Sequence, residues 1–361
     1  MTTKLSDFSY KLSKLREAIE NSEYDALEIN SQANFSWLTR GRSMIGLASV
    51  AACGSLVVTA DSVYLVAENI EAERLYVEQL DSNPFVDVRE FPWNQPEKRT
   101  EIMSSIATGK LASEQDLADE LFRLRTVMTN FDISDYREIS IETARILEAT
   151  VKGLCCGVSG YELTGELAKR FWASNLEPIT LLSAFDARAL KYRHPIPAAD
   201  CLENYAMVAV CTRRNGLVVS ATRNVLLRED AVMIGRHESC VRVDAVATSM
   251  LMPGVVLGDI FDAMTNEYAL QGYPGEQLLH HQGGLTGFLP REIRANTCST
   301  HKVRNHEVYA FNPSLQGAKC EDTILITNTA PEVLTHTGDY TYTKCEVGGR
   351  ELLKPTVFVQ N

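Results

Sequence analysis

Two kinds of apolar spacing follow one another along the first third of the chain. Residues 11–22 repeat apolar side chains every three to four positions, which predicts an amphipathic helix. The segment DALEI and residues 51–58 and 63–66 are short runs rich in aliphatic side chains, which predicts strands. A helix-rich stretch follows these strands. The pattern predicts an N-terminal α/β domain over residues 1–133.

From Ser134 onward, long helical patterns alternate with pairs of strand-like runs, which predicts a second domain over residues 134–361. Asn215-Gly216 separates two of these runs, as expected of a hairpin turn. The predicted elements are helices in the segment SDYREISIETARILEATVKGLCCG and at 161–174, 230–251 and 257–270, and strands at 206–211, 217–223, 307–311 and 323–327. We therefore expect an α/β (α+β) protein of two domains.

Met44 to Val58 is the most apolar run of the chain, with polar side chains only at Ser49 and Ser55. It is too short to span a bilayer, so we interpret it as a pair of buried strands and expect no membrane partner. The N-terminal segment MTTKLSDFSY has no basic region followed by an apolar stretch. No secretory signal is predicted, and the expected location is the cytoplasm.

The charge of the chain narrows the set of partners. Lys and Arg number 35 against 47 Asp and Glu, a formal net charge of -12, and no block of like charges stands out. Such a chain lacks the cationic surface that neutralises phosphate backbones. We therefore do not expect nucleic acid as a partner.

Five segments of the second domain resemble a known family by their order. They are Tyr192-Arg193-His194-Pro195, the Asn-Gly hairpin, a helix ending in MPG, LHHQGG and GAKCEDTILIT. Together they resemble the pita-bread superfamily of Xaa-Pro aminopeptidases, prolidases and creatinase. The segment KLREAIENSEYDALEINSQANFSWLTRG is similar to the smaller N-terminal domain of creatinase-type proteins. The resemblance implies a creatinase-type N-terminal domain, a pita-bread C-terminal domain and a homodimer.

In the metallopeptidases of this superfamily, two Asp, one His and two Glu hold two divalent ions, because paired hard cations need several anionic oxygens. The resemblance places these five positions at Ala209, Ser220, His281, Asn312 and Glu321, with His280 as the alternative histidine. One imidazole and one carboxylate cannot hold a two-metal cluster, and a single zinc ordinarily needs a third protein ligand. We therefore expect no metal and no other cofactor.

His194, His281 and Glu321 are the expected catalytic residues. Creatinase implies that this fold can hydrolyse a C–N bond without metal, and His194 resembles the other active-site histidine of the superfamily. Histidine transfers protons near neutral pH, and a carboxylate can fix its tautomer. One histidine would act as general base or acid and the other would donate to substrate, while Glu321 would orient a histidine or bind a cationic group. The sequence leaves open which histidine takes the proton.

A further set of residues is expected to bind a small-molecule or dipeptide substrate: His280, Asn312, Arg291, Glu292, Trp37 and Arg40. Arg291-Glu292 lies roughly where metallopeptidases carry a His-Glu pair, and a surface ion pair is the alternative. Asn312 would hydrogen-bond substrate or form a turn before Pro313. Trp37 and Arg40 lie in a predicted loop similar to one that reaches a partner's active site in dimeric relatives, and ordinary loop packing is the alternative.

Three functions follow from these assignments. The first is a metal-independent, creatinase-like hydrolase of a C–N bond in a small amide, an amidine or guanidino compound, or a dipeptide. The second is a catalytically silent pita-bread module that binds peptides or proteins, and the third is an Xaa-Pro metallopeptidase. Proton relay needs hydrogen-bond reach, so catalytic side chains more than about 8 Å apart, or buried in apolar packing, would favour the second function.

Overall fold

The computed structural model describes residues 3–360, which divide into two compact units. The first unit runs to Asp132 and includes the turn Asn215–Leu217. The second unit comprises Ile133–Arg214 and the chain from Val218 onward. Among the described residues, no helix is both long and apolar enough to cross a bilayer.

The first unit is a mixed sheet with helices in the connections between its strands. Its elements are β1 (Ala26–Ser31), β2 (Ala51–Thr59), β3 (Val63–Glu68), β4 (Asp87–Phe91) and β5 (Leu111–Ala112), with α1 (Lys4–Glu20), α2 (Gln32–Thr39), α3 (Ala72–Arg74), α4 (Glu97–Ile106) and α5 (Ala118–Arg125). The strand order is β4-β3-β2-β1-β5. Leu27, Leu56 and Leu65, one on each of the three inner strands, are fully buried. Aliphatic side chains on these strands therefore form the core of the unit.

The apolar run Met44–Val58 is not the pair of buried strands that its composition predicts. Ile45 and Val50 are each 77% exposed, and only the part from Ala51 onward is a strand, β2. The reason is a local turn, in which the backbone N–H of Ser49 donates to the carbonyl of Gly46 at 3.0 Å. A chain that turns at this point cannot continue as an extended strand.

The second unit contains two main sheets and a set of long helices. Its helices are α6 (Asn130–Lys152, which begins in the first unit), α7 (Gly160–Ala173), α8 (Asp186–Ala189), α9 (Ala231–Met250) and α10 (Leu257–Leu270). Its strands are β6 (Glu177–Phe185), β7 (Tyr205–Arg214), β8 (Leu217–Leu226), β9 (Gly283–Thr286), β10 (Ile293–Arg294), β11 (Val308–Phe311), β12 (Ser314–Leu315), β13 (Ala318–Lys319), β14 (Asp322–Ile326), β15 (Pro331–Val333), β16 (Tyr342–Val347), β17 (Arg350–Pro355) and β18 (Phe358–Val359).

A backbone bridge joins the two main sheets of this unit. One sheet has the order β18-β8-β7-β6 and the other β10-β9-β11-β14-β15. The N–H of Thr222 in β8 donates to the carbonyl of Glu321, the residue before β14, at 3.0 Å. This bridge places the polar residues at the start of β14 against the middle of β8.

Helical spacing predicts the helices of the second unit well. The helix predicted at 257–270 is α10, and that predicted at 161–174 is α7, shifted by one residue. The helix predicted to start at Asp230 is α9, with Asp230 as its N-cap. Its carboxylate accepts from the N–H groups of Val232 and Met233, which fixes the start of the helix.

Two glycines fix the backbone just after the paired histidines of the LHHQGG segment. Gly283 and Gly284 have φ angles of +85° and +143°, and a Cβ at Gly283 would lie 2.1 Å from the carbonyl oxygen of Ala310. Only glycine tolerates this conformation and this close approach. The glycines therefore bring β9 against β11 and hold His280 and His281 at the end of the strand.

His237 on α9 makes the stability of the protein pH-dependent. The side chain is 2% exposed, and burial, with the positive charge of Arg223, lowers its pKa to about 4. The unfolded chain binds this proton near the ordinary value of 6.5, so stability is lost as pH falls from about 6.5 to 4.

We expect the unfolding free energy of the wild type, minus that of His237→Asn, to fall by about 3 kcal/mol between pH 7 and pH 4. The wild type loses stability because His237 is protonated more easily in the unfolded chain. Urea denaturation at several pH values measures this gap. Val243→Ala, on the same helix and also buried, removes no titrating group and serves as the control. A gap that stays constant from pH 7 to pH 4 would contradict the assignment.

Candidate functional site

Three imidazole rings meet in the second unit. His194 lies in the loop between α8 and β7, whereas His280 and His281 precede β9. The Nε2 atoms of His194 and His280 are 2.9 Å apart. The ring centroids of His280 and His281 are 4.5 Å apart, and those of His194 and His281 are 5.6 Å apart. The structure therefore brings the three histidines together, and His194 and His280 lie within the hydrogen-bond reach that proton transfer requires.

The backbone fixes the orientation of the His281 ring. The N–H of Gly283 donates to Nδ1 of His281 at 3.3 Å. A ring nitrogen that accepts a hydrogen bond carries no proton, so the neutral ring holds its proton on Nε2. His281 is thus equipped to donate a hydrogen bond from Nε2 rather than to accept a proton there.

Burial and positive neighbours favour the neutral form of all three rings. Burial, with the charge of Lys319, lowers the pKa of His280 to about 2. Burial, with the charges of Arg291 and then Lys319, lowers the pKa of His281 to about 4. The pKa of His194 is also lowered, by partial burial and by Lys319, although Glu321 acts in the opposite direction. At neutral pH the cluster is uncharged and surrounded by cations.

Glu321 is bound by cations and not by a histidine. Its Oε1 accepts from Nη2 of Arg291 at 2.7 Å, and its Oε2 accepts from Thr222 Oγ1 at 3.1 Å and lies 3.5 Å from Nζ of Lys319. Burial raises the pKa of Glu321, but Lys319 and Arg291 outweigh it and hold the pKa below its ordinary value. The cationic partners of Glu321 are thus side chains of the protein, and its catalytic role stays a prediction.

Arg291 is part of this cluster and not a surface ion pair with its neighbour Glu292. The Arg291 side chain is only 10% exposed, and its ion pair is with Glu321. Glu292 accepts instead from the backbone N–H of Leu289 in its own loop, at 3.2 Å. The loop between β9 and β10 thus gives the two side chains different contacts, and the role of Arg291 and Glu292 in binding substrate stays a prediction.

The remaining positions assigned to metal ligands carry no carboxylate. Ala209 ends in a buried methyl group, and the Oγ of Ser220 lies 3.2 Å from Sγ of Cys211. Asn312 is 2% exposed, and its Oδ1 has no hydrogen-bond partner among the described residues. An unsatisfied buried amide oxygen is rare in proteins, so it is a candidate contact for a ligand.

The dinuclear metal centre implied by the resemblance does not fit these residues. A pair of hard cations needs several anionic oxygens, and the one carboxylate at these positions, Glu321, is already paired with Arg291. A divalent ion beside Glu321 would also lie close to the fixed positive charges of Arg291 and Lys319. The donor set is therefore unsuited to two divalent ions.

The three histidines are the other group that could hold a metal ion, since one nitrogen from each lies within 4.8 Å of the others. A tetrahedral zinc with Zn–N bonds of about 2.0–2.1 Å needs nitrogens only about 3.4 Å apart. His194 and His280 are already joined by a hydrogen bond, and Lys319, Arg291 and Arg294 place positive charge on the cluster. An ion bound by the three rings would therefore replace this hydrogen bond and lie near these positive charges.

Trp37 and Arg40 lie in the first unit and are buried there. Trp37 lies in helix α2, which begins after the N-cap Ser31, whose side chain accepts from the N–H of Asn34, and Arg40 is the C-cap at the end of this helix. Trp37 is 2% exposed, and Arg40 donates to Asp132 at 2.5 Å. These contacts match the alternative of ordinary packing, and the proposed role in substrate binding has no support from them.

Three residues join the site without a prediction from the sequence: Lys319, Thr222 and Cys211. Lys319 and Thr222 bind Glu321, and the Cys211 thiol is next to Ser220. Burial and the charge of Glu321 raise the pKa of Cys211, which favours the protonated thiol. Alternation along β7 and β8 could have identified Cys211 and Thr222, because each lies two residues from a position assigned to a metal ligand and so faces the same side of the sheet.

Comparisons with known proteins agree with this architecture. The dipeptidase PepE of Mycobacterium ulcerans has a TM-score of 0.75 at 16% identity and covers 100% of both chains. The prolidase of Pyrococcus horikoshii OT3 has a TM-score of 0.74 at 17% identity, over 91% of this chain and 98% of that chain. At such identities the likeness is one of fold.

In sequence, an uncharacterized peptidase of Staphylococcus aureus (strain MW2) is 23% identical over 224 residues, which are 59% of this chain and 64% of that protein. The match thus spans less than two thirds of the relative's length. No family model matches the chain. The two main sheets and the nearly full-length structural matches lead to one conclusion: the chain has the pita-bread fold of prolidases, Xaa-Pro dipeptidases and aminopeptidase P-like proteins.

Proposed function

We propose that this protein hydrolyses a C–N bond of a small amide, amidine or dipeptide without a metal ion, with His194 as the general base. The observation that carries the proposal is the hydrogen bond between His194 and His280, with the His281 ring beside it. General acid–base catalysis needs an oriented histidine within hydrogen-bond reach. The names of the structural relatives, a dipeptidase and a prolidase, favour a dipeptide among these substrates.

His194 fits the role of base best among the three rings. It is the exposed one, whereas His280 is buried and His281 uses its Nδ1 lone pair to accept from Gly283. If Nε2 of His194 donates to Nε2 of His280, then Nδ1 of His194 keeps the lone pair that takes a proton from water. In this arrangement His280 positions His194 and stabilises it when it becomes charged.

The proposed reaction balances with one water molecule. The water oxygen bonds to the carbonyl or amidine carbon while one of its protons passes to His194. The C–N bond then breaks, and the same proton passes from His194 to the leaving nitrogen, so that the ring returns to its neutral form. Nε2–H of His281 donates to the atom on which negative charge develops, a role typical of preorganised donors in hydrolases.

The proposal is tested with protein that has been dialysed against EDTA. The panel contains Xaa-Pro dipeptides, dipeptides without proline, creatine and small amidines, and release of the amine product is measured. We expect turnover of at least one compound in EDTA, with no increase when Mn²⁺ or Zn²⁺ is added, because the donors do not suit a metal cluster.

Two outcomes would contradict the proposal. Turnover that requires added Mn²⁺ or Zn²⁺ would identify a metal-dependent hydrolase. A dipeptide that binds in calorimetry and is never cleaved, with no other compound turned over, would identify a binding module of the same fold.

A further inference from the structure

Arg291 connects two positions that are metal ligands in the metallopeptidases that the sequence resembles. Its Nη2 donates to Glu321 at 2.7 Å, and its Nη1 lies 3.5 Å from the Oγ of Ser220. The side chain is 10% exposed, and that of Glu321 is 3% exposed. The guanidinium therefore occupies the space between positions 220 and 321, where an ion bound by two carboxylates would otherwise lie.

The local charge also matches that of a resident cation. Arg291 and Lys319 are both within ion-pair distance of Glu321, so two positive charges face one carboxylate. A buried carboxylate needs such compensation. The excess positive charge is available to a substrate atom that becomes negative during the reaction.

Some buried polar atoms of the candidate site have no hydrogen-bond partner in the described part of the chain. Nε of Arg291 is buried without a partner among residues 3–360, and the same is true of Asn312 Oδ1 and His280 Nδ1. Buried polar atoms in folded proteins ordinarily have partners. These three atoms are therefore available for hydrogen bonds to a polar ligand.

We infer that Arg291, supported by Lys319, is a built-in replacement for a catalytic metal ion. It keeps Glu321 ionised and paired, excludes divalent cations from the space between residues 220 and 321, and stabilises negative charge on the substrate through its Nε–H. The last of these roles rests on the proposed hydrolase function. The exclusion of cations does not depend on it.

Exclusion is tested by restoring the missing carboxylates. The double variant Ala209→Asp/Ser220→Asp is prepared with Arg291 intact, with Arg291→Ala and with Arg291→Gln, and Mn²⁺ binding is measured by calorimetry after circular dichroism has confirmed folding. We expect removal of Arg291 to tighten Mn²⁺ binding by at least about tenfold, because a unit positive charge no longer repels the dication.

Arg294→Ala in the same double variant is the matched control, because Arg294 is an exposed arginine three residues away. If Mn²⁺ affinity does not change when Arg291 is removed, or if Arg294→Ala has an equal effect, the inference is wrong. This readout requires no turnover, so its failure is distinct from failure of the proposed hydrolase.

The catalytic part is tested by turnover of Arg291→Ala in the wild-type background. We expect kcat to fall by about 10²–10³-fold, the usual cost of removing one preorganised donor to a developing charge. Added guanidinium chloride should restore part of the lost rate in Arg291→Ala and should not raise the rate of Arg294→Ala. An Arg291→Ala protein with wild-type kcat would overturn this role.

Discussion

Replacing His194 by asparagine is expected to lower kcat by about 10²–10⁴-fold, the usual contribution of a positioned general base. The variant keeps a polar side chain but removes the imidazole that takes the proton. Its effect should be seen mainly in kcat and much less in KM, because the base acts in the transition state. Steady-state kinetics on the best compound of the panel measure both constants.

The pH profile gives an independent check of the same residue. The pKa of His194 is lowered by partial burial and by Lys319, Arg294 and Arg291, while Glu321 raises it. The base is active when neutral, so kcat/KM should fall as pH decreases through a pKa below the ordinary 6.5. Arg291→Ala, where activity remains measurable, should move this inflection to higher pH.

His306→Asn provides the matched control, because His306 lies outside the histidine cluster and its φ of +66° is one that asparagine tolerates. It should retain the wild-type kcat. The assignment is contradicted if His194→Asn hydrolyses as fast as wild type while His281→Asn is inactive. The general base would then be another ring.

His280 and His281 were assigned by resemblance to the family, and the backbone of the segment that follows them is fixed by its own residues. Gly283 and Gly284, which have positive φ, follow His281 after a single residue, and each would clash with a neighbouring strand if it had a side chain. Such a segment has few alternative conformations, so the position of its neighbours is fixed by residues near them in sequence. His194, from a distant loop, could be placed there only by resemblance to the family.

The partner of Glu321 could not be predicted in the same way. Arg291 is separated from Glu321 by 30 positions, and the pair forms because the loop between β9 and β10 directs the arginine across the sheet. Pairings between distant residues depend on strand register, and composition and periodicity do not fix register for strands as short as β10.

The apolar run Met44–Val58 gave a wrong prediction, because burial was inferred from its hydrophobicity alone. Ile45 and Val50 are exposed although their segment is the most apolar of the chain. Exposed apolar residues are common in folded proteins, and the informative signal is a buried polar residue. Asn312, Lys319 and Glu321 are of that second kind, and all three belong to the candidate site.

The neighbour of Glu321 in the chain carries the largest expected effect on stability. Asp322 faces the interior, where Arg223 donates to it at 3.0 Å and to Glu148 at 2.9 Å. Arg223 is 1% exposed and also donates to the carbonyl of Thr335 at 2.8 Å. Burial raises the pKa of Asp322, but Arg223 and His336 outweigh it and hold the pKa well below its ordinary value.

Arg223→Met should therefore lower the unfolding free energy by about 3–5 kcal/mol, because it leaves two buried carboxylates without their shared cation. Chemical denaturation at neutral pH measures the loss. Arg170→Met, which breaks an exposed pair with Glu166, should cost no more than about 1 kcal/mol.

The double variant Arg223→Met/Asp322→Asn should recover part of the loss, since one of the stranded charges is removed. A loss below about 1 kcal/mol in Arg223→Met would show that this network contributes no more than a surface pair. Because Asp322 follows Glu321 directly, the same network anchors the strand that presents Glu321. Stability and kcat are therefore both measured in Arg223→Met/Asp322→Asn. The comparison shows whether an effect on kcat follows from the weaker anchoring of the strand or from a change at the site itself.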